Sequence, residues 1–291
     1  MAYYNGQASS YQELLNALVG ACTQPDNAWI WSNGVLHKSD LFIGFSISTN
    51  GIICQGGTGL VNGILQGTTG VTPRLGRFST SLFPLFPCNY HIFIFEDEVY
   101  LIAKFDSDFY YLAFGKSTLI SNGGLWVSAS TGADVGTNTG LSISTSSGAG
   151  YWATACAPFW GTYNNGGNCL NSIILHNLDG GKWSNYSITA SVLYSILPLH
   201  RLMPSTFFSD AILLPYSVTL VRPQDKRSIV CEFQNARFTR VDNFESEQII
   251  NLGSERWMIF PFYRKNIDVR DGGSNINHSG TLGWAIRYDG P

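Results

Sequence analysis

"HIFIFEDEVYLIAKFDSDFYYLAFGKSTLISNGGLWVSAS", residues 91–130, decides the fold. Two apolar runs of strand length, "HIFIF" (91–95) and "VYLIAKF" (99–105), flank Glu96, Asp97 and Glu98, and "FYYLAFGKS" (109–117) follows after a second acidic turn. Short runs rich in aromatic and β-branched residues, broken by polar turns, read as consecutive antiparallel strands. The glycines of "NGGLW" (122–126) turn the chain where backbone or a partner comes close. On this reading the hairpin and the "YYLAFGKS" strand form the core sheet. Tyr110, Tyr111, Phe114 and Trp126 then serve packing and not chemistry.

Outward from this core the same signal recurs. "AWIWSNGVLHK" (28–38) holds two short strands around "SNG", and "LFIGFSISTNGIICQGG" (41–57) repeats the pattern around "TNG". "SVTLVRPQDKRSIVCEF" (217–233) is a further hairpin, and "ARFTRV", "RWMIFPFYRK" and "GTLGWAIRYDGP" read as later strands. One helix stands before them. Ser10 and Glu13 have capping-box spacing, Leu14, Leu15, Leu18, Val19 and Cys22 supply an apolar face, and Pro25 ends it. The expected fold is mainly β, a β-sandwich or barrel-like set of sheets built from hairpins, with one N-terminal helix. A change to Ser, Thr, Gly and Asn after "GGLWVSAS" places a domain boundary near residue 130. It divides a helix-plus-hairpin part, 1–130, from a β-rich part with Gly/Ser/Thr/Asn-rich loops, 131–291, unless the two intertwine.

Composition narrows the function. Of 291 residues, 44% are apolar and only 13% charged, against roughly 25% charged in an ordinary soluble domain. Charge is the usual guard against association, so such a surface suits burial against other subunits and predicts a homo-oligomer. The net charge of -3, with 17 basic and 20 acidic residues spread thinly, leaves no basic stripe for nucleic acid. The opening "MAYYNGQASS" lacks a basic start and apolar core, and no long apolar run occurs, so neither export nor a membrane span is expected.

No catalytic, cofactor-binding or metal-ligating constellation emerges. Cys22, Cys54, Cys88, Cys156, Cys169 and Cys231 show no CxxC spacing and read as buried thiols, with Cys156 and Cys169 the pair best placed for a disulfide around "APFWGTYNNGGN". His37, His91, His176, His200 and His278 form no HExxH or HxH and read as surface or satisfied core histidines. GxSxG, the phosphate-cradling GxxxxGK[ST] and a helix-opening GxGxxG are all missing; "FGKST" lacks the leading glycine. Glu96, Asp97 and Glu98 are open to a glycosidase-type carboxylate pair or calcium binding, but adjacent positions at a hairpin tip point to opposite faces, which favours a solvated turn. Trp29, Trp31, Trp126, Trp152, Trp160 and Trp183 are candidates for a sugar-stacking surface or for core. The sequons at Asn185 and Asn277 carry little weight without secretion.

The ordered set "SYQELLNALVGACTQ" with "WSNGVLHK", "YHIFIFEDEVYLIAKF", "FYYLAFGKS", "GGLWVSAS", "ERWMIFPFYRK" and "HSGTLGWAIRYDGP" resembles a group of tailed-bacteriophage virion proteins described as structural or tail proteins. The resembling stretches lie chiefly in 10–40, 90–130 and 250–291; residues 151–187 have no counterpart. The resemblance implies a non-enzymatic virion subunit, a tail or baseplate component folded in the host cytoplasm before assembly and partnered by other virion proteins. It carries over no catalytic residue. "TSSGAG" (145–150) and "NNGGNCLNS" (164–172) are then the stretches expected at partner contacts. A host-recognition module binding cell-surface glycan is the alternative, and a polysaccharide-cleaving enzyme using Glu96 or Glu98 a third.

Overall fold

The computed structural model describes residues 1–77, 86–120, 123–132, 158–159, 162–163, 169–170, 172–176, 181–184, 190–192, 203, 210–222, 224, 226–265 and 282–291. Along the first half run β1 (Ala2–Ala8), the helix α1 (Tyr11–Cys22), β2 (Ile30–Ser32), β3 (Val35–Lys38), β4 (Leu41–Ser48), β5 (Gly51–Gly57), β6 (Gly59–Val61), β7 (Ile64–Gln66), β8 (Arg74–Arg77), β9 (Cys88–Ile94), β10 (Glu98–Phe105), β11 (Asp108–Lys116) and β12 (Leu125–Ala129). Then come the two-residue strands β13 (Thr131–Gly132), β14 (Thr162–Tyr163) and β15 (Cys169–Leu170), followed by β16 (Ser172–Leu175) and β17 (Ala190–Ser191). The last five are β18 (Leu214–Val221), β19 (Arg227–Arg240), β20 (Ile249–Leu252), β21 (Glu255–Pro261) and β22 (Leu282–Arg287). The architecture is mainly β with one α-helix near the N-terminus, as the sequence predicts.

Three six-stranded sheets stack. The middle sheet runs β1-β9-β10-β11-β12-β16, all antiparallel. On one face lie α1 and a sheet of order β13-β8-β5-β4-β3-β2; on the other lies a C-terminal sheet of order β17-β18-β19-β22-β21-β20. The register assigns the faces. In β10 and β11, Tyr100 stands opposite Ala113 and Ile102 opposite Tyr111. Tyr100 and Tyr111 both meet Trp284 of β22. Phe114, pointing the other way, meets Trp29 and Phe45 on the helix side. With both faces covered, every described residue of β12 is buried, as is every residue of β10 and β11 except Lys104 and Lys116. A strand buried on both faces needs apolar residues at successive positions, which is why "VYLIA" and "FYYLAF" run without a polar break.

Local chemistry sets the elements. Ser10 Oγ accepts from Glu13 N at 3.2 Å, and the Glu13 carboxylate accepts from Ser9 N at 2.7 Å, so the capping pair closes the first turn of α1. Tyr11, Leu14, Leu15, Leu18, Ala21 and Cys22 are the residues α1 buries. The turn between β2 and β3 places Asn33 and Gly34 at φ 49° and 80°, the left-handed pair that a two-residue hairpin demands. β1, "AYYNGQA", is a strand that composition does not announce; it joins the sheet only because β9 is there to pair with it.

The expected boundary near residue 130 falls between β12 and β13. Strands from both sides of it share sheets: β16 completes the middle sheet and β13 pairs with β8. One cluster of buried side chains runs from Ala8 to Tyr288, and a small second cluster around Trp257 and Ile259 backs the C-terminal sheet.

Candidate functional site

The acidic turn divides in two. Glu96 is exposed and pairs with Lys38 at 3.2 Å, and Asp97 is exposed, as expected of a solvated turn. Glu98 overturns that expectation, being only 2% exposed. Its carboxylate accepts from the backbone N–H of Gln234 (2.9 Å) and of Asn235 (3.0 Å), from Asn235 Nδ2 (2.8 Å) and from Tyr100 Oη (3.0 Å). The reason lies in β19. Ser217 of β18 stands opposite Glu232 while Pro215, two residues earlier, stands opposite Arg237, so β19 bulges between them. A bulge releases backbone groups from the ladder. Glu98 takes the released N–H groups, and Arg237 Nη1 donates to the carbonyls of Phe233 and Ala236, both at 2.8 Å. The bulge carries Phe233 against Phe159 and Trp126, with ring centroids 4.3 and 4.8 Å apart. Burial raises the Glu98 carboxyl above its ordinary value, against the pull of the four donors. This is a carboxylate committed to holding backbone.

A second polar chain crosses the same seam. Tyr3 Oη lies 2.7 Å from His91 Nδ1, His91 Nε2 lies 2.8 Å from Glu247 Oε1, and Lys104 Nζ bonds Glu247 Oε2. A carboxylate only accepts, so His91 donates through Nε2 and, when neutral, accepts from Tyr3 through Nδ1. Asn5 Nδ2 donates to Tyr3 Oη at 3.0 Å and closes the series. Burial alone would raise the Glu247 carboxyl; the hydrogen bonds and charges of His91 and Lys104 outweigh it and hold the group below its ordinary value. His91 is thus a satisfied histidine, as expected. The partners come from four separate stretches of chain, and no local motif could have announced them. Asp108 forms a third knot, accepting from Tyr263 Oη at 2.6 Å and Arg264 Nε at 2.5 Å.

The tryptophans separate by burial. Trp126 and Trp29 are core, at 0% and 4% exposure. Trp183 covers Gly56, donates Nε1 to Gly67 O at 2.7 Å and meets the His176 ring at a tilt, centroids 4.7 Å apart. Trp31 is exposed. Trp152, Trp160, Cys156, Asn185, Asn277, His200, His278 and "TSSGAG" lie outside the described residues, as does most of "NNGGNCLNS". Cys22, Cys54, Cys88 and Cys231 are buried thiols, as expected. Burial pushes the Cys88 thiol up to about 12, which leaves it inert as a nucleophile. Among the described residues, no three His, Cys, Asp or Glu side chains converge in a metal-binding group, and no helix is long and apolar enough to cross a membrane.

What the surface does present is apolar. The hairpin β6–β7 lies on the outer face of the helix-side sheet, with Leu65 seated against Gly44 and Gly57, where a side chain on either glycine would collide with it. Its tip, Asn62–Gly63 at φ 50° and 75°, touches Asn33 in the β2–β3 turn. Ile30 and Trp31 of β2 and Val61 and Ile64 of the hairpin are exposed, the last three-fifths or more open at 65%. No acidic or basic residue occurs from Leu41 to Pro73. The hairpin and β2 therefore expose uncharged side chains, Ile30 on the same outer face as the hairpin and Trp31 on the opposite face toward Phe45, and such surface suits protein contact. Compared with known proteins, the chain matches no protein-family model and no curated protein.

Proposed function

We propose that this chain is a non-enzymatic structural subunit of a bacteriophage virion, a tail or baseplate component that acts through repeated contacts with copies of itself and with other virion proteins. The observation that carries the reading is the exposure of the aliphatic side chains Ile30, Val61 and Ile64 in and beside a stretch, Leu41 to Pro73, without acidic or basic residues, on a chain with 13% charged residues. Exposed apolar side chains cost solubility unless a neighbour covers them, and in a particle a neighbour does. The three-layer core adds support. A sheet buried on both faces resists deformation, which suits a part under load. The polar clusters are consistent with this reading, since Glu98, Glu247 and Asp108 each spend their oxygens on protein partners. The resemblance of the ordered segments to tailed-phage virion proteins supplies the class of particle.

Size-exclusion chromatography with light scattering on the purified chain, followed by negative-stain imaging, tests the assembly. Discrete rings or tubes of one stoichiometry are expected; a stable monomer at every concentration would sink it. A glycan-binding module is the second reading, favoured by Trp31, the described tryptophan open enough to stack on a sugar face. It requires a saccharide-array signal that disappears on Trp31→Ala.

A further inference from the structure

We infer that Asn62, at the tip of the hairpin β6–β7, is a site of spontaneous covalent modification: in the folded protein its side-chain amide converts to aspartate and isoaspartate. The inference stands apart from the assembly reading.

The chemistry needs an asparagine whose side chain the next backbone nitrogen can reach. That nitrogen attacks Cγ, the side-chain nitrogen leaves as ammonia, and the cyclic imide so formed takes up water. Opening at one carbonyl gives aspartate; opening at the other gives isoaspartate, in which the main chain runs through the side-chain carbon. Glycine shields its nitrogen least, having no Cβ. Asn-Gly pairs stand at 5–6, 33–34, 50–51, 62–63, 122–123 and 165–166, and Asn122 and Asn165 lie outside the described residues.

The structure separates the other four. Asn5–Gly6 sits in the middle of β1, opposite His91 and Tyr90 of β9, and the Tyr90 ring covers Gly6, where a Cβ would stand 2.5 Å from Tyr90 Oη. Asn50–Gly51 is wedged in place. Asn50 Oδ1 is buried, Gly51 pairs with both β4 and β8, and a Cβ there would lie 2.3 Å from the Leu75 carbonyl oxygen. Asn33–Gly34 forms a turn, but Phe45 N donates to Gly34 O at 2.8 Å and the Asn33 amide packs on Gly63.

Asn62 has none of these restraints. It is exposed, and among the described residues nothing bonds its amide. Val61 pairs with Ile64 across the turn, so the Gly63 N–H lies outside the ladder and is available as the attacking nitrogen. β6 and β7 make a two-stranded sheet of three residues a strand, which opens locally at low cost and lets the turn reach the geometry of ring closure. The product sets a carboxylate into a stretch, Leu41 to Pro73, that otherwise has no charge.

The test is peptide mapping by mass spectrometry on the full chain held in mildly alkaline, ammonia-free buffer, folded and in guanidinium chloride, with isoaspartate counted by enzymatic methylation. Unfolded, the four pairs share the same two residues and should react at similar rates. Folded, Asn62 is expected to stay within about tenfold of its unfolded rate, while Asn5, Asn33 and Asn50 slow by at least about 100-fold. Asn62 slowed as much as the other three, or overtaken by any of them, overturns the assignment.

Discussion

Glu98 and Glu247 are two glutamates in the same seam whose surroundings push them in opposite directions. Glu98 is raised from a value near 4.5 by burial. Its contribution to stability is therefore full below that value and is lost as pH rises through the folded-state value above it. Glu247 is lowered from the same starting point by the donors that overcome its burial, so its contribution is full above 4.5 and is lost as pH falls through the folded-state value. Denaturant unfolding followed across the mildly acid range in Glu98→Gln and Glu247→Gln should reveal the two slopes separately. Glu247→Gln is expected to flatten the acid limb of the stability profile. Glu98→Gln is expected to remove the loss on the alkaline side, at the cost of about 1–3 kcal/mol for each donor that the single amide oxygen leaves unbonded. Equal profiles in both variants would contradict the opposite shifts.

At the scale of elements, the hairpin β6–β7 is seated on its sheet through Leu65. Leu65 fits the space left by Gly44 and Gly57, so Leu65→Ala should cost about 1–2 kcal/mol of local stability and speed hydrogen exchange in Gly59–Gln66 while leaving the middle sheet protected. Uniform exchange across the chain would show instead that the hairpin is not a separate unit. The strands themselves were legible. Period-two runs bounded by "SNG", "TNG" and acidic turns placed β2 to β5 and β9 to β11, and the Ser10–Glu13 spacing placed α1. Two things were not. β1 has a polar, glycine-containing sequence and owes its form to pairing with β9, a tertiary effect that local pattern does not carry. Glu98 reads like its neighbours Glu96 and Asp97, and only the bulge in β19, more than a hundred residues further on, decides that it points inward.

For the whole molecule, the stacking of three sheets makes the middle one common property. Residues on either side of position 130 enter the same buried cluster, and Trp284 of the last strand touches Tyr100, Tyr111, Phe159 and Tyr216. Heat unfolding is accordingly expected as one transition, with calorimetric and van't Hoff enthalpies in agreement. Two resolved transitions would mean that the seam between the middle and C-terminal sheets is weak enough to open by itself.

The pairing of β1 with β9 has a consequence in time. Ala2 lies opposite Ile94 and Ala8 opposite Cys88, so the first residues of the chain wait without a partner until that distant segment arrives, and β12 waits in turn, over a shorter stretch, for β16. Loops of this length must close before any ladder bond rewards them, which places refolding among the slow, non-local β topologies, on the order of milliseconds to seconds. The uncharged hairpins between Leu41 and Pro73 pair strands adjacent in sequence and need no such wait. The rate at which the middle sheet closes therefore governs how long a nascent chain remains liable to aggregate before it has finished folding.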